Sequence, residues 1–155
     1  MLHRRSARER VLSRAAEIVH ASAVAIGARA VLIRGASGSG KSGLALRLIA
    51  LGAELVSDDR VTLARRHGVI VAGAPAPIRG LIEARGVGLL RAERLREEAE
   101  VALVVDLDFA PAARMPQLRV IDLLGVEVEL IFGRGVPNLD AVLVFIMQNG
   151  RYAGN

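Results

Sequence analysis

Apolar residues along this chain fall mostly into short aliphatic runs interrupted by glycine, proline or charge, a pattern that predicts strands buried on both faces rather than amphipathic helices. The clearest runs are Ala30-Val31-Leu32-Ile33, Ala53-Glu54-Leu55-Val56-Ser57 and Val101-Ala102-Leu103-Val104-Val105-Asp106-Leu107. His20 to Gly27 predicts a further strand. Gly27-Ala28-Arg29 turns it back so tightly that it must lie antiparallel to the strand at Ala30 to Ile33. Val61 to Gly73 reads as a β-hairpin turning at Arg66-His67-Gly68, with His67 as a turn residue. The segment from Ala74 to Gly80 carries Pro75 and Pro77 and is excluded from a central strand. Leu118 to Leu123 predicts a short strand, and Val126 to Phe132 alternates, with Val126, Val128 and Leu130 on one side and Glu127 and Glu129 on the other. Helices are expected at Gly43 to Leu51, apolar on most faces and ended by Gly52, and at Leu139 to Met147. Residues 1–19 read as a basic, partly helical lead-in with Val11, Leu12, Ala15 and Ile18 on one face. Arg91 to Glu100, charged nearly all round, reads as an exposed helix or loop with local ion pairs, and residues 148–155 as a polar tail. The whole reads as one α/β domain over 1–155.

Composition sharpens this picture at two points. Apolar residues make up 52% of the chain but aromatics only 3%, so the core must be packed from Leu, Val, Ile and Ala. A mean hydropathy of +0.39 fits a sheet covered on both faces, or a homo-oligomer that hides some apolar surface. The net charge is +5 and the sequence pI about 11.1. Apart from Arg4, Arg5, Arg8, Arg10 and Arg14, the arginines are scattered. With so few aromatics to stack bases, the charge argues against nucleic acid and for small anionic ligands. The absence of cysteine excludes disulfides and thiolate metal sites. No apolar run approaches the ~18 residues of a spanning helix. Glu9 and Glu17 count against a transit peptide, so no membrane partner and cytoplasmic residence are expected.

Chemistry enters at Gly35-Ala36-Ser37-Gly38-Ser39-Gly40-Lys41-Ser42, which matches G-x-x-x-x-G-K-[ST] at every fixed position, between a strand and a helix. Backbone N–H groups of such a loop and the following helix N-terminus converge on one spot and cradle phosphate. Lys41 is placed to reach the β- and γ-phosphates, and the Ser42 hydroxyl to ligate Mg²⁺. Of the 21 basic residues other than histidine, only Lys41 is a lysine. One helix later, the strand at Ala53 to Ser57 runs into Asp58-Asp59. A right-handed crossover delivers both strand ends to the same sheet edge, so these carboxylates land beside the phosphates. One is available to hold Mg²⁺ and the other to accept a proton, with the order left open. Glu83, among apolar residues, needs a partner, either Arg85 or a metal ion.

Taken in order, His20, the loop Gly35 to Ser42, Val56-Ser57-Asp58-Asp59-Arg60, Glu83-Ala84-Arg85-Gly86-Val87-Gly88 and Val104-Val105-Asp106-Leu107-Asp108 resemble the catalytic domain of HPr kinase/phosphorylase, over roughly residues 18–147. Glu83, Arg85, Gly86 and Gly88 match that family's signature E-x-R-G-x-G. The resemblance implies a P-loop α/β domain with a mixed sheet, similar also to phosphoenolpyruvate carboxykinase. It further implies an enzyme that phosphorylates a serine of the carrier protein HPr from ATP or pyrophosphate and removes that phosphate by attack of inorganic phosphate. Carried over, Lys41 binds phosphates, Ser42 and Glu83 ligate Mg²⁺, Asp58 and Asp59 hold the acid/base, His20 orients that base, and Arg114 takes the place of a catalytic arginine. The chain resembles a short form without the family's N-terminal regulatory domain. Gly133-Arg134-Gly135-Val136-Pro137-Asn138 stands where the family has a proline-arginine-glycine motif linked to dephosphorylation. Two other readings use the same loop: a small-metabolite kinase, and a nucleotide-sensing module without chemistry.

Overall fold

The computed structural model describes residues 16–152. The arginine cluster and Val11, Leu12 and Ala15 of the expected lead-in lie outside them. In chain order the elements are β1 (Ala16–His20), β2 (Ser22–Ile26), β3 (Arg29–Arg34), α1 (Lys41–Ala50), β4 (Glu54–Ser57), β5 (Arg60–Arg66), β6 (Val69–Gly73), β7 (Leu81–Ala84), β8 (Gly88–Arg91), β9 (Glu98–Asp106), β10 (Arg119–Leu123), β11 (Val126–Phe132) and α2 (Leu139–Asn149). A 3₁₀ turn at Ala76–Ile78, capped by Pro75 and containing Pro77, precedes the β7–β8 hairpin, which forms its own two-stranded sheet.

The main sheet runs β1-β5-β6-β9-β3-β2-β4, with β11 beside β9 and β10 beside β11. β9 is parallel to both β3 and β11, and the other pairs are antiparallel. The expected mixed α/β sheet is therefore present. β2 is antiparallel to both β3 and β4, so those two are parallel to each other but one strand apart. Their carboxyl ends meet at the start of β2, where Ser22 pairs with Ile33 and Ala23 with Ser57.

Two-residue periodicity divides each central strand between two cores. Val24, Ile26, Val31 and Ile33 face Leu44 and Leu48 of α1 and Leu143 and Met147 of α2. Ala23, Ala25, Ala30 and Leu32 face the other way and pack with Val56, Val61, Leu63 and Ile70. Among the described residues no helix covers this second face. Instead β5 and β6 come into contact with β4, and the core on this face is rich in alanine. Some apolar surface stays uncovered, at Val87, Leu89, Met115 and Phe145. Among the described residues no helix is long and apolar enough to cross a membrane.

Five expectations need correction. Residues 16–20 are a strand, not the end of a helical lead-in, because β5 offers a full antiparallel register from Ala16↔Ala64 to His20↔Arg60. The strand expected from His20 is broken at Ala21, whose N–H leaves the sheet for Asp59 O at 3.2 Å. The charged stretch 91–100 contains the end of β8 and the start of β9. Its ion pairs are long-range, Arg96 with Glu54 at 3.2 Å and Glu98 with Arg66 at 2.6 Å. α1 is buried on one face only, through Leu44, Ala45 and Leu48, while Leu46 and Leu51 face solvent; α2 takes Gln148 and Asn149 from the expected tail. The β5–β6 turn falls at His67-Gly68, both with positive φ, as a two-residue hairpin with the sheet's twist requires.

Leu48 is fully buried between α1 and the sheet, so Leu48→Ala should destabilise the domain by about 2–5 kcal/mol in urea unfolding. The Arg66 guanidinium hydrogen-bonds Glu98 and holds its carboxyl below the usual glutamate range. A lowered folded-state pKa gives stability that is present above the unfolded value and lost as pH falls through the folded one. Glu98→Gln should therefore cost a small, salt-screened amount at neutral pH, and the gap to wild type should close in unfolding curves taken below the glutamate range.

Candidate active site

The phosphate-loop motif occupies the turn from β3 into α1. Gly35 sits at φ +150, and a Cβ there would lie 2.6 Å from Ser39 Oγ, so only glycine fits. Gly40 precedes α1 in the left-handed region at φ +101 and brings no side-chain cap. The first-turn N–H groups of Lys41, Ser42 and Gly43 have no intrahelical acceptor; the α1 ladder begins with Leu44 N–H to Gly40 O at 2.9 Å. Lys41 is buried, and its Nζ donates to Gly35 O at 2.8 Å and Ala36 O at 3.0 Å, bracing the loop from inside.

The paired aspartates have different environments. Asp58 is buried and accepts three hydrogen bonds: from Ser22 Oγ at 2.6 Å and Ser42 Oγ at 2.8 Å on one oxygen, and from Glu83 N–H at 3.0 Å on the other. Asp59 projects into solvent from a three-residue γ-turn, closed by Arg60 N–H to Asp58 O, with φ +71. Its Oδ1 lies 2.9 Å from His20 Nε2. His20 reaches this point from the end of β1, opposite Arg60, and not as the first residue of the strand antiparallel to β3. The structure thus places His20, Lys41, Ser42, Asp59, Glu83 and Arg85 around one cleft of about 550 Å³. Glu83 and Arg85 are not ion-paired.

Arg114 is not in this group. It lines a separate, largely apolar cavity with Leu118, Phe132 and Val136. Two supporting acids had been read only as part of a resembling strand end. Asp108 takes the Ala36 N–H on both carboxylate oxygens, at 2.9 and 3.0 Å, and Asp106 accepts from Asp108 N–H at 2.9 Å while facing Arg34 at 3.4 Å. The available signal was positional, since both acids close the strand parallel to and beside β3.

The donor chemistry suits a small hard cation. Ser42, Asp58 and Glu83 offer only oxygen, and among the described residues no three acidic or imidazole groups converge into a self-sufficient cage. This fits Mg²⁺, which binds through few protein oxygens and completes its shell with phosphate and water.

A glycine loop joining strand to helix, with a lysine folded into it and acids at the adjoining strand ends, defines a P-loop phosphate-binding domain. The model of the HPr Serine kinase C-terminal domain matches residues 12–135. The chain belongs to that family. It is 38% identical over 96 residues to the HPr kinase/phosphorylase of Lactobacillus delbrueckii subsp. bulgaricus, covering 57% of this chain and 30% of that protein. It is 35% identical over 124 residues to that of Chloroherpeton thalassium, covering 72% of this chain and 36% of that protein. The chain thus spans about a third of the length of these curated relatives. The solved Hpr(Ser) kinase/phosphatase from Coxiella burnetii superposes with a TM-score of 0.73 at 26% identity, covering 86% of this chain and 95% of that one.

The unequal aspartates give a differential prediction. Asp58→Asn replaces an acceptor oxygen by a donor amide facing either the serine hydroxyls or the Glu83 N–H, and should cost about 1–3 kcal/mol in urea unfolding. Asp59→Asn, at an exposed position whose backbone conformation asparagine tolerates, should leave stability nearly unchanged.

Proposed function

We propose that the chain is a phosphotransferase acting on a serine of an HPr-type carrier protein, with ATP or pyrophosphate as donor. The observation that carries this reading is the exposed His20–Asp59 pair on the same cleft as Lys41 and Ser42. A binding module needs the loop but has no use for a solvent-facing carboxylate oriented by an imidazole beside it, and the family relationship favours protein phosphorylation over a small-metabolite kinase.

In this reading Asp59 is the group that accepts the serine hydroxyl proton, and His20 orients it. Asp58 is too heavily hydrogen-bonded to serve as the base; it sets the positions of Ser42 and of the strand carrying Glu83. Lys41 and the free first-turn N–H groups neutralise charge on the transferred phosphoryl group. Ser42 and Glu83 would hold Mg²⁺, which when bound supplies charge neutralisation between the donor phosphates. Arg85, beside Gly38, lies at the rim where an incoming carrier meets the loop. Run in reverse, inorganic phosphate attacks the phosphoserine phosphorus, the serine oxygen leaves and takes the proton back from Asp59, and pyrophosphate forms.

The test is transfer of phosphate to purified HPr, with ATP and with pyrophosphate as donors, and release of pyrophosphate from phospho-HPr and phosphate. Asp59→Asn should lower the forward rate by about 10²–10⁴-fold with the fold intact. Lys41→Ala should abolish transfer, and no transfer by the wild-type chain from either donor would refute the proposal.

A further inference from the structure

The cavity that takes Arg114 has a volume of about 370 Å³ and is walled by the connection from β9 to β10, by β11 and by α2. Among the described residues it shares no lining residue with the active cleft. Its floor is apolar: Leu139 is buried, and Ile131 and Phe132 are half-buried around it. The walls resist collapse onto this space, because Pro111, Pro116 and Pro137 each have φ locked by their ring. Apolar surface therefore stays open to water, with Leu118 67% and Val142 39% exposed. That state is unfavourable unless an apolar group covers it.

The rim carries charge of one sign. Arg114 and Arg119 are exposed at it, and among the described residues neither has a carboxylate partner. None of the described lining residues is acidic. The third arginine of the lining, Arg151, is ion-paired with Glu129. The Arg119 guanidinium lies over the Phe132 ring, 4.4 Å from its centroid, which seats it against the apolar wall. Stacking uses the face of a guanidinium and leaves its in-plane N–H donors free. Such a fork grips a carboxylate or a phosphate through two parallel hydrogen bonds. Charge also argues against the chain's own N-terminal segment as the occupant, since Arg4, Arg5, Arg8, Arg10 and Arg14 would meet charge of their own sign.

We propose that this cavity binds a small amphipathic anion: an apolar alkyl or acyl body fills the space between Phe132, Leu139 and Val142, and Arg114 and Arg119 hold a carboxylate or phosphate head. Volume, apolar lining and a few polar groups at one side are what small-ligand pockets share. The site is independent of the phosphate loop, and Arg114 acts in it away from the transferred phosphoryl group.

Titration calorimetry of the full chain with decanoate, decyl phosphate, decanol and decyltrimethylammonium, each below its micelle concentration, separates head from body. Either anion should bind at least about tenfold more tightly than decanol, the worth of a charged hydrogen bond, and the cation should not bind. The tighter anion names the head. Octanoate should bind about tenfold more weakly than decanoate, as burial of two fewer methylenes requires. Arg114→Ala and Arg119→Ala, both at exposed positions, should each weaken the anions about 5–10-fold and leave decanol unchanged. Val142→Trp, which fills the space, should abolish binding of all of them, and amide shifts on titration should fall in α2 and residues 111–119. Decanol binding as tightly as decanoate, no dependence on chain length, or shifts centred on Gly35 to Ser42 would overturn the proposal. So would a dimer of the chain that Val142→Trp dissociates and decanoate does not, since the cavity would then be a contact between two copies.

Discussion

Everything at the phosphate end of this molecule hangs on the buried carboxylate of Asp58. A charge so placed is costly unless its lone pairs are filled. Here the three donors come from three separate elements: Ser22 from the start of β2, Ser42 from the first turn of α1, and the Glu83 backbone from β7. Satisfying one carboxylate therefore fixes the loop helix, the central sheet and the outlying hairpin relative to one another. The β7–β8 sheet shares no strand pairing with the main sheet, so this bond is part of what places Glu83 and Arg85 at the cleft. The tight turn then rotates the next residue outward, and Asp59 is left exposed against His20. Two adjacent residues of one type thus divide into a structural anchor and a solvent-facing acid.

The strand β9 supports the loop from the other side. It is the parallel neighbour of both β3 and β11, so its carboxyl end lies between the phosphate loop and the 133–138 segment. Asp108 holds the Ala36 N–H, and its own carbonyl accepts from Arg134. The loop entry and the 133–138 segment are consequently tied through one residue. At the start of that segment, Gly133 is packed so closely that a Cβ would come within 2.8 Å of Val105 and 2.9 Å of Leu139. The segment is seated on the core and does not hang free of it.

What the sequence made legible was the part governed by local rules. The loop motif, the antiparallel return at Gly27 to Arg29, the hairpin at His67-Gly68 and the aliphatic runs of β3 and β9 are all decided by residues within a few positions of one another. What it hid was decided by partners far along the chain. Ala16 to His20 shows no strong strand pattern and becomes a strand because β5 offers an edge. Glu98 and Arg96 look like members of a local charged stretch but answer Arg66 and Glu54 across the sheet. The division of labour between Asp58 and Asp59 was equally out of reach, since it depends on which of them meets Ser22. Arg114 shows the limit from the other direction, because a position reached across an irregular connection led to a different cavity.

The solitary lysine can now be understood from geometry. A lysine ammonium carries three donors and no acceptor. Two are committed to the carbonyls of Gly35 and Ala36, which closes the loop around the side chain and leaves one proton for an incoming phosphate oxygen. A guanidinium directs its donors outward in a rigid planar fork and does not suit the same buried position inside a loop whose other seven residues are glycine, alanine or serine. A chain that uses arginine at every other basic position keeps lysine at the one place where a compact, tetrahedral donor must brace its own backbone and bind a ligand at once.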